Sequence, residues 1–229
     1  MTVATILQKH QQHFNPVILF QWEKENVLVL DLTAANAALH TVNLSSTKAF
    51  TDYVFGAMAK AGAAVAVGGY NENRYIYRRS EHFQQKGEPR SIHVGIDIWA
   101  VAGTPIFAPL AGKVHSFQYN DQFGDYGPTI ILEHRLEEIP FYTLYGHLSL
   151  ASLEGLYTGK TIEQGEKFAD IGNYPINGDW PPHLHFQVIT DMQGLQGDFP
   201  GVCGLSEREK YLRLCPDPNL ILGIRQLDY

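Results

Sequence analysis

Two histidines separated by one residue, His183-Leu-His185, lie in a run of β-forming residues in the last third of the chain. Because side chains on a strand alternate between its two faces, both imidazoles are expected to project from one face. A second motif, His93 and Asp97, has its polar ends four residues apart, which also share a face of a strand or a helix. Imidazole and carboxylate groups are both good zinc ligands. The two motifs together indicate a metal site.

A catalytic zinc ion is commonly held by three protein ligands, with a fourth position open for water. His93, Asp97 and one histidine of the pair supply such a set. His147 adds another imidazole on a β-type run. Each motif alone is common by chance, so the prediction depends on their combination. Other histidines have no acidic or histidine partner at metal spacing and are interpreted as surface or turn residues: His10, His13, His40, His82 and His115.

Short β-type runs must position these side chains. After Ala63 they alternate with segments rich in Gly, Pro, Asn and Asp, which indicate turns. This texture predicts a mainly β fold with an antiparallel β-sandwich or barrel-like core. The predicted runs are 64–67, 74–77, 95–99, 129–132, 142–145, 168–171 and 184–189.

The first 70 residues have a different texture and are predicted to form an N-terminal α+β extension. Two apolar runs, Val17–Phe20 and Val27–Leu32, form either two strands or a strand and a loop, with a turn at Glu23–Asn26 between them. The clearest helix begins at Ser46, a capping residue, and ends at Gly62. Its core-facing stripe is Phe50, Val54 and Met58.

We therefore predict three parts: residues 1–70 as the extension, 71–195 as the metal-binding domain and 196–229 as a tail packed on the core. In the tail, the Pro-Asp-Pro-Asn segment that begins at Pro216 can cap a final short helix. Cys203 and Cys215 are too few for a disulfide scaffold. We interpret them as free buried thiols, with a bridge between them as the alternative.

Composition excludes several classes of partner. The chain carries 17 basic and 24 acidic residues, a net charge of −7, and lacks a Lys/Arg block that would follow a nucleic-acid backbone. No segment approaches the 18 uncharged apolar residues of a membrane-spanning helix. The polar N-terminus does not resemble a secretory signal, which predicts a cytoplasmic location and leaves a periplasmic or extracellular one open. Nothing in the sequence indicates an oligomeric state.

Three blocks of the sequence resemble the lysostaphin-type, or LytM-like, zinc metallopeptidases. They are Ser91–Val114, Thr143–Leu148 and Pro182–Val188, in the order that the family has them. The resemblance extends from about Tyr75 to Ile189 and implies an antiparallel β-sheet core with a zinc cleft.

The resemblance also implies roles for five residues. His93, Asp97 and His185 would bind one Zn²⁺ ion, while His147 and His183 would lie beside the metal and transfer protons. The implied activity is that of a zinc metallo-endopeptidase that hydrolyses a peptide or amide bond, with a peptide or muropeptide as substrate.

One segment departs from the family. Gly172–Pro182 is bulkier than the small Gly/Ser-rich loop typical of relatives, which indicates a different substrate pocket. With parts of the tail, it resembles a LytM-like variant of large cytoplasmic proteins, so a cytoplasmic hydrolase acting on a small amide is one alternative. A non-catalytic binding or regulatory module is another. A phosphocarrier domain of sugar permeases is a third, but Asp97 argues against it because phosphoryl transfer needs no metal-binding aspartate.

Overall fold

The computed structural model describes residues 1–22, 24–84 and 87–227, so Glu23, in the turn predicted between the early apolar runs, lies outside the described residues. The α-helices are α1 Val3–His10, α2 Thr47–Ala61, α3 Arg208–Leu214 and α4 Asn219–Leu222. The strands are β1 Val27–Leu30, β2 Val65–Gly68, β3 Glu72–Asn73, β4 Ile92–His93, β5 Ile96–Trp99, β6 Pro105–Phe107, β7 Gly112–Asn120, β8 Gly127–Leu136, β9 Ile139–Gly146, β10 Thr161–Ile162, β11 Lys167–Asp170, β12 His183–Ile189 and β13 Val202–Cys203. Short 3₁₀ segments cover Gln11–His13, Ala37–Thr41, Tyr75–Arg79, Glu81–Phe83, Leu150–Leu153, Leu205–Glu207 and Arg225–Leu227.

Eight strands form one sheet in the order β1-β2-β5-β12-β9-β8-β7-β10. Its pairs are antiparallel except at one edge, where β1 and β2 run parallel. Smaller sheets join β6 with β11 and β13 with β4 and β3. The predicted mainly β fold class with an N-terminal α+β part is confirmed, although the large sheet is mixed. Strands β1 and β2, which precede residue 70, belong to the same sheet as β5. The predicted division of the chain into three parts at residues 70 and 195 stays a prediction.

Strand β12 lies inside the large sheet, between β5 and β9. All seven of its residues are buried, and their side chains alternate in character. Leu184, Phe186 and Val188 belong to the main hydrophobic core. Because alternate side chains project from opposite faces, His183 and His185 lie on the other face. Period-two patterning thus directs the two histidines away from the core, as the sequence predicts.

Helix α2 agrees with its sequence signals. The Ser46 hydroxyl accepts a hydrogen bond from the Ala49 amide at 3.3 Å, and Gly62 ends the helix in the left-handed conformation with φ 64°. A residue without a Cβ adopts this conformation at little cost. The predicted stripe of Phe50, Val54 and Met58 is buried in a second core cluster with Trp99 and Trp180.

Two features of the first 80 residues differ from the predictions or were not predicted, and a third decides between two predicted alternatives. The run at 74–77, predicted as a strand, is mainly a 3₁₀ turn over Tyr75–Arg79. Helix α1 was not predicted; its Val3 and Leu7 pack into the main core. Of the two early apolar runs only the second forms a strand, so the alternative of a strand and a loop is the correct one.

The tail contains the predicted short helix, α4, whose first residue Asn219 donates its amide to Asp217 Oδ1 at 2.8 Å. Cys203 and Cys215 are both free and buried, and burial raises their thiol pKa values to about 11 and about 12. Both therefore remain protonated thiols near neutral pH. Within the described part of the chain, no helix has the length and apolar character needed to cross a membrane.

His134 makes stability depend on pH. Its Nδ1–H donates to the Ala111 carbonyl at 2.9 Å, its Nε2 lies 2.7 Å from Thr143 Oγ1, and burial lowers its pKa to about 4. An unfolded histidine titrates near 6.5, so the unfolded chain takes up this proton first as the pH falls. Its stabilising contribution is complete above about pH 6.5 and is lost towards pH 4.

We expect His134→Gln to remove this dependence, since glutamine keeps a hydrogen-bond donor but does not titrate. Between pH 7 and pH 5, the wild-type free energy of unfolding should fall by about 2 kcal/mol more than that of the variant. Urea unfolding of both proteins in the presence of a chelator, at several pH values, measures this difference. Equal pH slopes in the two proteins would contradict the assignment.

Candidate metal centre

Pairing of β5 with β12 brings two of the predicted ligands together. Asp97 and His185 are direct cross-strand partners, and His185 Nδ1 lies 3.0 Å from Asp97 Oδ1. His93 reaches the same point from β4, where it pairs with Glu72 on one side and Val202 on the other. Its Nε2 is 3.0 Å from His185 Nδ1 and 3.3 Å from Asp97 Oδ1. The three ligand atoms thus face one another in a buried cluster.

The spacing of these atoms fits zinc. Ligands at 2.0–2.2 Å from a tetrahedral ion lie about 3.3–3.6 Å from each other, close to the separations found here. Both imidazoles also have their second nitrogen engaged: His93 Nδ1–H donates to the Gly69 carbonyl at 3.2 Å, and His185 Nε2–H to Gln187 Oε1 at 2.9 Å. Such bonds fix the tautomer, so that a lone pair of each ring faces the cluster.

Gln187 is held in turn by its own amide group. Its Nε2 donates to the Pro200 carbonyl at 3.1 Å and to Cys215 Sγ at 3.2 Å, which leaves Oε1 directed at His185. The side chain is fully buried. Gly95 contributes space, because a Cβ there would lie 2.5 Å from the His185 ring. The third residue of the same β12 face therefore orients a ligand, a role not identified from the sequence.

Charges around the cluster favour metal-binding protonation states. Burial, together with the positive charge of Arg74, lowers the pKa of His93 to about 3, so the ring is neutral near pH 7. Burial alone would raise the pKa of Asp97, but His93, Arg74 and His183 hold it well below its ordinary value. Metal binding requires neutral imidazole and ionised carboxylate. His93 and Asp97 meet these requirements.

His147 and His183 lie together beside the cluster. Their ring centroids are 4.1 Å apart, and His183 Nε2 is 4.0 Å from Asp97 Oδ1. Each ring donates its Nδ1–H to a backbone carbonyl, that of Asn177 at 2.8 Å for His147 and that of Pro181 at 2.7 Å for His183. In both rings Nε2 is therefore the nitrogen with a lone pair.

Both rings are neutral near pH 7. Burial lowers the pKa of His183 to about 4, and burial together with the adjacent His183 lowers that of His147 well below its ordinary value. His183 also stacks on Trp99, with the ring planes 19° apart and the centroids 5.3 Å apart. Such rings can accept a proton when one is released nearby.

The backbone at His147 has an unfavourable left-handed conformation that hydrogen bonds hold in place. Its φ of 63° lies in the left-handed region, which costs a non-glycine residue energy. Hydrogen bonds from the His147 amide to the Tyr126 carbonyl at 2.7 Å, and from the Gly172 amide to the His147 carbonyl at 2.8 Å, hold this conformation.

Comparison with known proteins identifies a family domain in part of the chain. The model of peptidase family M23 matches residues 91–196, which include all five predicted site residues. Residues 91–196 are a peptidase family M23 domain. The resemblance to lysostaphin-type enzymes noted from the sequence is therefore confirmed. Zinc is the metal of this family, and the donor set of His93, Asp97 and His185 fits it.

Three proteins illustrate the similarity. The L-Ala–D-Glu endopeptidase of Bacillus subtilis (strain 168) is 27% identical over 142 residues, which are 60% of this chain and 41% of that protein. The uncharacterized lipoprotein YgeR of Escherichia coli (strain K12) is 34% identical over 94 residues, 41% of this chain and 33% of that protein. The catalytic domain of lysostaphin from Staphylococcus simulans is 22% identical, with a TM-score of 0.37, over 52% of this chain and 80% of that domain.

This chain thus spans less than half the length of the two curated relatives. A cytoplasmic location stays a prediction, and one relative carries the name of a lipoprotein.

A cavity of about 100 Å³ opens onto the candidate ligand cluster. Asp97, His147, His183 and His185 all contribute to its wall. The rest of the wall combines rings with charged or titratable groups, among them Tyr77, Phe83, Tyr126, Trp180, His82, Arg90, Asp125 and Asp198. The cavity therefore has room beside the histidines and offers both apolar and ionic contacts to a ligand.

Trp180 is the ring that bounds both histidines, with centroids 6.0 Å from His147 and 6.1 Å from His183. The Arg79 guanidinium packs over the Trp180 ring, 4.5 Å from its centroid. The indole Nε1–H of Trp180 donates to the Asp125 carbonyl at 3.1 Å. Trp180 belongs to the segment that departs from the family in the sequence. That segment therefore does contribute to the cavity, through a residue that sequence reasoning did not single out.

Proposed function

We propose that this chain is a zinc-dependent metallo-endopeptidase in which His93, Asp97 and His185 hold the metal and His147 and His183 transfer protons. The proposal is carried by one observation: two neutral histidines, each with Nδ1–H donated to a backbone carbonyl, line the same cavity as two of the three candidate ligands, Asp97 and His185. This arrangement combines an open-sided zinc site with proton acceptors, as amide hydrolysis requires.

The zinc ion, when bound, supplies an activated water and polarises the scissile carbonyl. The chain's own residues handle the protons. His183, whose Nε2 lies 4.0 Å from the Asp97 carboxylate, can accept the proton of the attacking water. That proton must then reach the leaving amine, either directly from His183 or through His147, whose ring centroid is 4.1 Å away. Once protonated, His147 Nε2–H can also donate to the developing oxyanion. The rings of Trp180 and Tyr126 lie beside His147, with centroids 6.0 Å and 5.6 Å away.

As substrate we propose a peptide of the peptidoglycan type. The name of the Bacillus subtilis relative describes cleavage between L-Ala and D-Glu. Such peptides carry both carboxylates and amino groups, and the cavity wall offers groups of both charges, Arg90 on one hand and Asp125 and Asp198 on the other. Apolar parts of a peptide can pack on Tyr77 and Phe83.

The test is a substrate panel for the zinc-loaded chain. Muropeptides with an L-Ala–D-Glu bond, D-amino-acid peptides, glycyl peptides and small amides are incubated separately, and new amino termini are identified by mass spectrometry. We expect cleavage of one peptide bond in the muropeptide, loss of cleavage with a chelator, and recovery when zinc is returned. Cleavage of small amides alone would contradict the proposed substrate. Absence of any cleavage by protein that holds one zinc per chain would contradict the proposed activity.

A further inference from the structure

A buried arginine from outside the M23 domain contacts Asp97, one of the three candidate ligands. The side chain of Arg74 is fully buried. Its Nε donates to Glu72 Oε2 at 2.8 Å, its Nη1 to Asp97 Oδ2, and its Nη2 to the Gly69 carbonyl at 3.2 Å. Its backbone amide is also bonded, to the Ser91 carbonyl at 2.8 Å. Hydrogen bonds therefore hold both the backbone and the guanidinium group of Arg74.

The contact divides the two oxygens of Asp97 between different partners. Oδ1 faces His93 Nε2 and His185 Nδ1, whereas Oδ2 accepts from Arg74 Nη1. A carboxylate with one oxygen bonded to a guanidinium has only the other one free to bind a metal. Arg74 thus favours one-oxygen coordination by Asp97, which keeps the number of protein ligand atoms at three.

The same segment also fixes a second ligand. The Gly69 carbonyl accepts hydrogen bonds from both Arg74 Nη2 and His93 Nδ1–H. Its neighbour Gly68 makes room for this arrangement, because a Cβ there would lie 2.7 Å from Arg74 Nη2 and from the Trp99 ring. Residues 68–74 therefore orient two of the three candidate ligands from a part of the chain that precedes the matched domain.

We propose that Arg74 is a positioning residue of the zinc centre: it holds Asp97 so that only Oδ1 faces the metal. The inference rests on the proposed zinc function. Arginine suits this role because its planar fork bonds two acceptors in a fixed geometry, and here it joins Glu72 to Asp97. A lysine can carry the same charge but cannot reproduce the fork.

The experiment compares Arg74→Lys and Arg74→Met with wild type. Arg78→Met is the matched control for Arg74→Met, since Arg78 is exposed, lies four residues after Arg74 and its loss changes the net charge equally. Two readouts are independent of hydrolysis: the zinc Kd from competition with a chelator, and the visible spectrum of the Co²⁺-substituted protein, which reports coordination number. Thermal unfolding of the metal-free proteins checks that each one folds.

We expect both Arg74 variants to bind zinc roughly 10- to 100-fold more weakly than wild type, as is typical when a group bonded to a ligand is removed. Their Co²⁺ spectra should change towards higher coordination number, since Oδ2 becomes free, while Arg78→Met keeps both wild-type values. If Arg74→Met does not fold, Arg74→Lys decides the matter. A wild-type Kd and a wild-type spectrum in Arg74→Lys would overturn the inference. Failure of the wild-type chain itself to bind zinc would instead overturn the proposed function, and this inference with it.

Discussion

Replacement of His185 by alanine is expected to abolish stable zinc binding and all zinc-dependent hydrolysis. The variant loses the nitrogen that lies 3.0 Å from both Asp97 Oδ1 and His93 Nε2, which leaves two of the three candidate ligands. Removing a group that merely orients a ligand already weakens metal binding by about 10- to 100-fold, so removing a ligand should cost more than about 100-fold. Elemental analysis of the purified protein and chelator competition measure stoichiometry and Kd.

Gln187→Met provides a graded control for this prediction. Methionine has a similar length, but it takes away the oxygen that accepts the His185 Nε2–H bond. The zinc Kd should therefore increase in the order wild type, Gln187→Met, His185→Ala. Zinc should also raise the melting temperature of the metal-free wild type, since a ligand that binds only the folded state stabilises it. A His185→Ala protein with one zinc per chain and a wild-type Kd would show that the ligand set is wrong.

The sequence predicts that His183 and His185 lie side by side because this depends only on the alternation of side chains along one strand. Period-two alternation along 183–189 is enough to indicate that His183 and His185 share a face. The same alternation includes Gln187, so its role could have been proposed from the pattern. What the pattern does not contain is the register of β5 against β12, which sets Asp97 opposite His185. Register depends on how strands pair across the sheet, which the pattern within one strand does not specify. The prediction that Asp97 and His185 bind the same metal comes from the family resemblance.

The N-terminal part shows where local signals fail. The run at 74–77 has residues typical of a strand, yet it folds mainly as a 3₁₀ turn because hydrogen bonds to other parts of the chain fix its backbone. The Arg74 amide donates to the Ser91 carbonyl, and the Tyr75 amide to the Leu32 carbonyl, both at 2.8 Å. These partners are distant in sequence. For the same reason nothing near Arg74 in the sequence indicates its contact with Asp97, 23 positions later.

Tyr145 gives a further example of a face that single residues do not reveal. It lies only two residues before His147, which lines the cavity. Its ring instead packs in the main core, against Phe168 at 4.8 Å and Phe186 at 5.3 Å between centroids. His147 follows the end of β9 with a left-handed backbone, so the alternation that directs Tyr145 inwards does not continue to it. The chain turns here, and the turn directs the imidazole into the cavity.

Loss of either cavity histidine is expected to lower the rate of peptide hydrolysis by about 10²- to 10⁴-fold, the usual contribution of a positioned acid or base, while one zinc per chain is retained. The suitable changes are His183→Gln and His147→Asn. Glutamine can still donate to the Pro181 carbonyl, and asparagine tolerates the left-handed backbone at position 147. Neither side chain accepts a proton near neutral pH. Steady-state kinetics on the cleaved muropeptide, with zinc content measured on the same samples, provide the test.

The control is His13→Asn, which removes an imidazole from an exposed position outside the M23 domain and should leave the rate unchanged. The double variant distinguishes a shared role from separate ones. If the two histidines act on the same proton transfer, the double loss should be little larger than the greater single loss, because effects of residues that act as a unit are not additive. Multiplied losses would instead assign them to separate steps, such as proton transfer by one and oxyanion stabilisation by the other. A full wild-type rate in either single variant would remove that residue from the mechanism.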